Sequence, residues 1–520
     1  MRNFRRKNIL FYTLLSTCII LFYQFNNIWV AIHENSEVSG CDSFGYARQA
    51  QLFRKSSNFL TALDSSIDTD VQSVLNQWGK STSIKYKDWY QMVSPHAHHF
   101  RKDSDKVILQ YPPGTGWLLS NFPENKARKI LWILSFTVIS SLFLARINIL
   151  YIPLTNINLA LSCLGCLYIT NTFSTRSDSI APSCLIAVLI TSITIRSINY
   201  LNKYHLFPIL ETLFISFIFG FSLSVRPGNL LFIISPLSIL ILAILLNIKS
   251  IFKFTAFCFS VFCASIVPLL LANKINTGSI FTSTYSSIDT TFDISSFFTN
   301  ITLVNESFDD SIRVFIVLLF SMIFSYRALI QKENSSFFYS RRILIYLSWI
   351  SMIFMICLMA LKPVFNLYYL APQLVMTLSI SSMSPLITKS FFKSNLFCID
   401  KFRSFSIIFS FLIFIFGYLL IKPTFIESFP SFNQFPRNSI IWSDSIGSKL
   451  NYYHNLNTAK FDFGSIEAQK DIIEYLSIHN IDQFVLDEGN LAIKFQKASA
   501  GYLQEFSIYQ NLKLFKYIPE

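Results

Sequence analysis

Apolar runs of about 20 residues follow one another along this chain, the length an α-helix needs to cross the hydrocarbon core of a bilayer. Inside lipid every backbone N–H and C=O must find its partner within the segment or its neighbours, so such runs are read as helices. Eleven candidate spans result, at 9–31, 130–146, 149–170, 180–197, 207–224, 229–247, 254–272, 312–330, 343–361, 367–387 and 405–422, several of them interrupted by polar residues. Composition points the same way. Hydrophobic residues make up 52% of the 520 and charged residues 14%, and the mean hydropathy is +0.44. That is too apolar for a soluble protein of this length.

The formal net charge of +13 invites a nucleic-acid reading, which its distribution argues against. With the N-terminus inside, the cytoplasmic segments hold Arg2, Arg5, Arg6, Lys7, Arg146, Arg196, Lys203, Arg341 and Arg342 among others. The short external loops hold only Arg176, Arg226, Lys274, Arg313 and Lys362. This is the positive-inside asymmetry, so the basicity is topogenic and no nucleic-acid partner is expected. The expected protein is a multi-pass protein of a bacterial inner or plasma membrane with a cytoplasmic N-terminus. Its parts would be residues 1–32 (N-terminus and first span), 33–128 (a large first extracytoplasmic loop with juxtamembrane helices), 129–422 (ten further spans) and 423–520 (an extracytoplasmic tail). Most of the cysteines fall in apolar runs, so no disulfide framework is expected.

The first loop opens with Val38-Ser39-Gly40-Cys41-Asp42-Ser43-Phe44-Gly45-Tyr46. A lipoprotein signal would place its small-residue box directly after the apolar core, but His33 to Glu37 intervene, so Cys41 is read as incidental and residues 9–31 as an uncleaved helix. Residues 41–62 pattern as an amphipathic helix along the membrane, with Asp42, Tyr46, Gln49 and Phe53 on one face. Asp42 also suits an N-cap there. Residues 64–106 are polar and weakly patterned and read as a loop. Within it His96-Ala97-His98-His99 could bind a divalent metal, since imidazole suits transition metals, but no helix-spaced carboxylate accompanies it. Tyr111-Pro112-Pro113-Gly114 is a rigid turn that hands over to an apolar helix. In the tail, strands at 439–442, 483–486 and 512–517 with a helix at 466–478 predict a small α/β domain.

Ionisable groups beside spans are costly, and costly groups are usually retained for function. Asp42 and Asp178 stand at the outer membrane level, and so do Arg226, in a Pro-Gly turn between two spans, and Lys274. An acid there can take a proton from an attacking hydroxyl, and a cation can neutralise a phosphate leaving group. For Arg176 and Lys362 the plainer reading is snorkelling to the interface.

Taken in order, "CDSFGYARQAQLF", "YPPGTGWLL", "RSDS", "GFSLSVRPGNLLFIISP" and "NKINTGS" resemble bacterial members of the C-type (GT-C) glycosyltransferase superfamily. The nearest branches are the protein O-mannosyltransferases and the lipid A aminoarabinose transferases. The resemblance covers about residues 9–390. It implies an all-α polytopic bundle, with the α/β tail similar to the extracytoplasmic tails of those relatives. It also implies a polyprenyl-phosphate-sugar donor and transfer, typically inverting, to a lipid, glycan or protein hydroxyl on the outer face.

By the same resemblance Asp42 is the expected general base, Asp178 a second catalytic acid, and Arg226 and Lys274 the donor-phosphate ligands. Tyr46, Tyr111, Pro112 and Pro113 are expected to line the substrate pocket. No cofactor is firmly implied. Two departures stand out. Where many relatives carry Arg-Tyr before a late span, this chain has Phe365-Asn366-Leu367-Tyr368-Tyr369-Leu370; and where the O-mannosyltransferases carry His-Pro-Pro it has Tyr111-Pro112-Pro113. Protein mannosylation is therefore not assigned. A transporter or flippase of lipid-linked sugars, and a non-catalytic membrane assembly protein, stay open beside the enzyme.

Overall fold

The computed structural model describes residues 2–33, 40–55, 70–95, 97–101, 106–147, 153–248, 251–281, 308–330, 336–361, 367–387, 397–421, 436, 438–443, 446–454, 456–509 and 512–519. These divide into two compact units. One comprises residues 1–34, 126–267 and 291–422, and the other residues 35–125, 268–290 and 423–520.

The first unit is a helical bundle. Its helices are α1 (Arg2–His33), α5 (Ala127–Leu144), α6 (Pro153–Ser174), α7 (Ile180–Tyr204), α8 (Ile209–Val225), α9 (Ile234–Leu245), α11 (Phe308–Ile330), α12 (Ser336–Ala360), α13 (Ala371–Met383) and α14 (Phe397–Leu420), with α10 (Ile251–Thr277) running on past its boundary. Among the described residues eight helical segments are long and apolar enough to cross a membrane, and α8 and residues 404–420 of α14 are shorter apolar helices.

The segment predicted as a span at 367–387 is different in kind. It consists of α13 with a 3-10 turn on each side, Leu367–Leu370 and Ser384–Leu386. Every residue of α13 is buried, packed among α6, α7, α11 and α12. That position explains its composition. Ser379, Ser381 and Ser382 return their hydroxyls to the carbonyls of Val375, Thr377 and Ser379, and such small side chains let neighbouring backbones approach closely. A helix enclosed by other helices needs no lipid-facing hydrocarbon, so its hydropathy falls.

Polar side chains also fix the register of α14. Gln24 on α1 donates to the Ser410 carbonyl at 3.0 Å and accepts from the Ser410 hydroxyl at 2.8 Å, and Ser141 on α5 donates to the same hydroxyl oxygen at 3.1 Å. Such pairs in hydrocarbon are worth about 0.6 to 2 kcal/mol each.

The second unit holds α2 (Gly40–Lys55), α3 (Asp70–Ser81), α4 (Pro113–Ser120), the hairpin β1 (His98–Arg101) and β2 (Lys106–Leu109), and the tail. The tail contains β3 (Ser439–Trp442), α15 (Gly447–His454), β4 (Thr458–Ala459), α16 (Ile466–Ile478), β5 (Asp482–Leu486), α17 (Leu491–Ala498), β6 (Tyr502–Tyr509) and β7 (Leu512–Ile518). Its sheet runs β4-β3-β5-β7-β6. Strand β3 is parallel to β4 and β5, while β7 is antiparallel to β5 and β6. Ser465 caps α16, its hydroxyl accepting from the Ala468 N–H.

The expected loop over 64–106 is corrected by α3, a 3-10 turn at Tyr86–Asp88 and the β1–β2 hairpin. The reason lies at least 340 residues away in sequence, the separation of Phe100 and Ile440. Val71, Leu75, Trp78, Trp89 and Phe100 share one buried cluster with Ile440, Trp442, Phe461, Ile472 and Phe495 of the tail, and the Trp78 indole N–H donates to Asp471 at 2.8 Å. Val71, Leu75 and Trp78 recur at helical spacing on α3, a periodicity that the loop reading missed, and the tail supplies the apolar surface they pack against.

Candidate functional site

In the second unit the chemistry gathers on α2. Asp42 stands in the first turn of that helix, which begins at Gly40, rather than at its N-cap. Its half-buried carboxylate accepts a hydrogen bond at Oδ1 from the Tyr111 hydroxyl at 2.6 Å, the short range of a charge-assisted O–H···O⁻ bond. The Tyr111 ring lies 4.7 Å from that of Tyr46, and the Tyr111 carbonyl accepts from Gln49 Nε2 at 3.1 Å. The predicted face of Asp42, Tyr46 and Gln49 is real, but protein covers it, with Tyr46 and Gln49 each 1% exposed.

Pro112 precedes α4 in extended geometry, with φ −61° and ψ 151°, and Pro113 opens the helix. Both prolines are buried, so they shape the turn that presents Tyr111. Arg54 braces the other end of α4 by donating to the carbonyls of Leu119 at 2.9 Å and of Phe122, two residues past the helix, at 3.0 Å.

A second group gathers at one end of the helical bundle. Lys129 Nζ, near the start of α5, donates to the Ile32 carbonyl at the end of α1 at 2.8 Å. Its neighbour Arg128 places Nε 2.9 Å and 3.0 Å from the two oxygens of Asp178, just before α7. Asp178 is fully buried and Arg128 is 8% exposed, so the second predicted acid sits inside an ion pair.

Arg226 follows α8 in extended backbone and leads into the 3-10 helix Pro227–Ile233. Its guanidinium donates to the Ser179 hydroxyl at 3.1 Å and lies 5.4 Å and 5.0 Å from the ring centroids of Tyr368 and Tyr369. One helical turn further along α7, Ser183 accepts from Asn229 Nδ2 at 3.1 Å, and the same amide donates to the Ser222 carbonyl at 3.0 Å. Two rungs therefore pin the Arg-Pro-Gly-Asn turn to α7. Arg226 is 7% exposed, and no carboxylate among the described residues pairs with it.

Lys274 is exposed and donates to the carbonyl of Gly278, the residue that follows α10, at 2.8 Å. Among the described residues no three His, Cys, Asp or Glu side chains gather as a metal site. His98 is buried with its ring 5.6 Å from Phe44, while His96 and Lys362 lie outside the described residues.

Sequence reasoning passed over Arg128, Lys129 and the tyrosine pair as members of this group. The first two had a signal: two adjacent cations, Arg128 and Lys129, directly before the apolar run that begins at 130. No protein-family model matches the chain, and no curated protein matches it.

Proposed function

We propose that the chain is an integral-membrane glycosyltransferase of the C-type superfamily, with about eleven crossings and a cytoplasmic N-terminus. It would move a sugar from a polyprenyl-phosphate donor to a hydroxyl on a lipid, glycan or protein at the outer face. The observation that carries this reading is Arg226, a buried guanidinium with no carboxylate partner among the described residues. An uncompensated cation out of water costs several kcal/mol, and a phosphate group offers the planar fork its natural partner. The two tyrosine faces hold the guanidinium without neutralising it.

In this reading Asp42 removes the proton from the acceptor hydroxyl as its oxygen bonds to the anomeric carbon. The bond from that carbon to the phosphate oxygen breaks, and polyprenyl phosphate leaves carrying the added charge. Attack opposite the leaving group inverts the anomeric centre. Asp178 acts through Arg128, holding a second cation near the start of α5.

The span count rests partly on α13, which with its two 3-10 turns covers residues 367–386. At 1.5 and 2.0 Å per residue this reaches about 34 Å, against a hydrocarbon thickness of about 30 Å.

Reconstitution into vesicles with a radiolabelled polyprenyl-phosphate sugar tests the proposal. Label appearing on a hydroxyl acceptor supports the enzyme. Movement of the intact donor across the bilayer without transfer supports the transporter, and neither event leaves the assembly role.

A further inference from the structure

The Tyr111 side chain is fixed from several directions by the helix that carries Asp42. Counting from Asp42, the residues at +3, +4 and +7 are Gly45, Tyr46 and Gln49, which share its helical face. A Cβ on Gly45 would run into the Tyr111 ring. Tyr46 meets that ring at 4.7 Å, and Gln49 holds its carbonyl. The hydroxyl oxygen accepts from Gln110 Nε2 at 2.9 Å, and its one proton goes to Asp42 Oδ1 at 2.6 Å. Among the described residues Asp42 Oδ2 has no hydrogen-bond partner.

The geometry points to Tyr111 as the positioning residue of the Asp42 carboxylate, its hydroxyl locking Oδ1 and so turning Oδ2 outward as the proton-accepting oxygen. This rests on the reading of Asp42 as the base and replaces the pocket-lining role that the sequence suggests for Tyr111. A carboxylate anchored at one oxygen loses its freedom about the terminal torsion, which is otherwise broad, and general-base catalysis depends on that orientation. Packing alone would call for the ring and not for the hydroxyl. Phenylalanine would fill the same space between Gly45 and Tyr46.

Tyr111→Phe therefore removes the lock and keeps the strut. In the purified full-length protein, Asp42 is labelled with a water-soluble carbodiimide and glycine ethyl ester and followed by peptide mass spectrometry. The labelling rate in Tyr111→Phe is expected to rise roughly fivefold, the equivalent of one hydrogen bond, with the melting temperature unchanged. Gln110→Met leaves the ring in place and is expected to shift the rate in the same direction by less.

An unchanged labelling rate would overturn the assignment, and so would a lowered melting temperature without faster labelling, which would make Tyr111 a packing residue. Because this readout needs no sugar donor, it stands apart from the glycosyl-transfer reading. Full transfer activity in Asp42→Asn would remove that reading while leaving the labelling result to decide Tyr111.

Discussion

Arg128 and Asp178 form a buried ion pair, Nε of the first lying 2.9 Å and 3.0 Å from the carboxylate oxygens of the second. A cation in the first turn of α5 opposes the helix dipole, and a carboxylate sealed from solvent needs a counter-charge. Each residue therefore makes the other tolerable. Asp178→Asn or Arg128→Gln alone is expected to destabilise the bundle by about 3–5 kcal/mol, because either leaves one buried charge uncompensated. The double variant should recover much of that loss. Thermal melting of the four proteins in detergent checks the cycle, and additive losses would mean the pair does not act as one unit.

Arg226 should behave in the opposite way. Its charge is buried without a carboxylate among the described residues, so Arg226→Gln is expected to leave the melting temperature unchanged or raise it. Transfer should fall at least about tenfold from the loss of one phosphate contact. Arg226→Lys keeps the charge but loses the planar fork and the stacking on Tyr368 and Tyr369, so it should retain only part of the activity. Parallel melting and reconstituted-transfer assays separate the two effects.

Gly45 is required by the close approach of α2 to Tyr111. Gly45→Ala is expected to cost about 1–3 kcal/mol through overpacking, although alanine is the better helix former. The damage should be local. Protease cutting ought to appear first around residues 111–120, with the bundle helices still protected.

Trp442 is fully buried in the cluster that unites the tail sheet with the first-loop segment. Trp442→Ala should cost about 3–5 kcal/mol and loosen α3 and the β1–β2 hairpin together with the sheet. Hydrogen exchange reads this directly. Faster exchange confined to residues 438–519 would show that the two segments do not share a core.

What the sequence discloses depends on where each contact partner lies. The apolar runs are local, so their positions can be read as helices, and the tail strands at 439–442 and 512–517 coincide with β3 and β7. Strand β4, with only Thr458 and Ala459, is too short to signal itself. Trp78 shares the apolar face of α3 with Val71 and Leu75, but nothing local shows that Trp442 and Phe461 complete its core. The run at 367–387 reads as a helix, and only the packing shows that α13 is enclosed by other helices. The site follows the same rule. Tyr111 and Asp42 are 69 residues apart, and only the folded chain shows that one holds the other.

The measurement closest to the central claim is mass spectrometry of surface glycans, glycolipids and glycoproteins from cells carrying the intact protein, a deletion, or Asp42→Asn. The account predicts a glycan present in the first and missing from both of the others, with Asp42→Asn protein still in the membrane at normal abundance. A glycan lost on deletion but retained at full level in Asp42→Asn would contradict it.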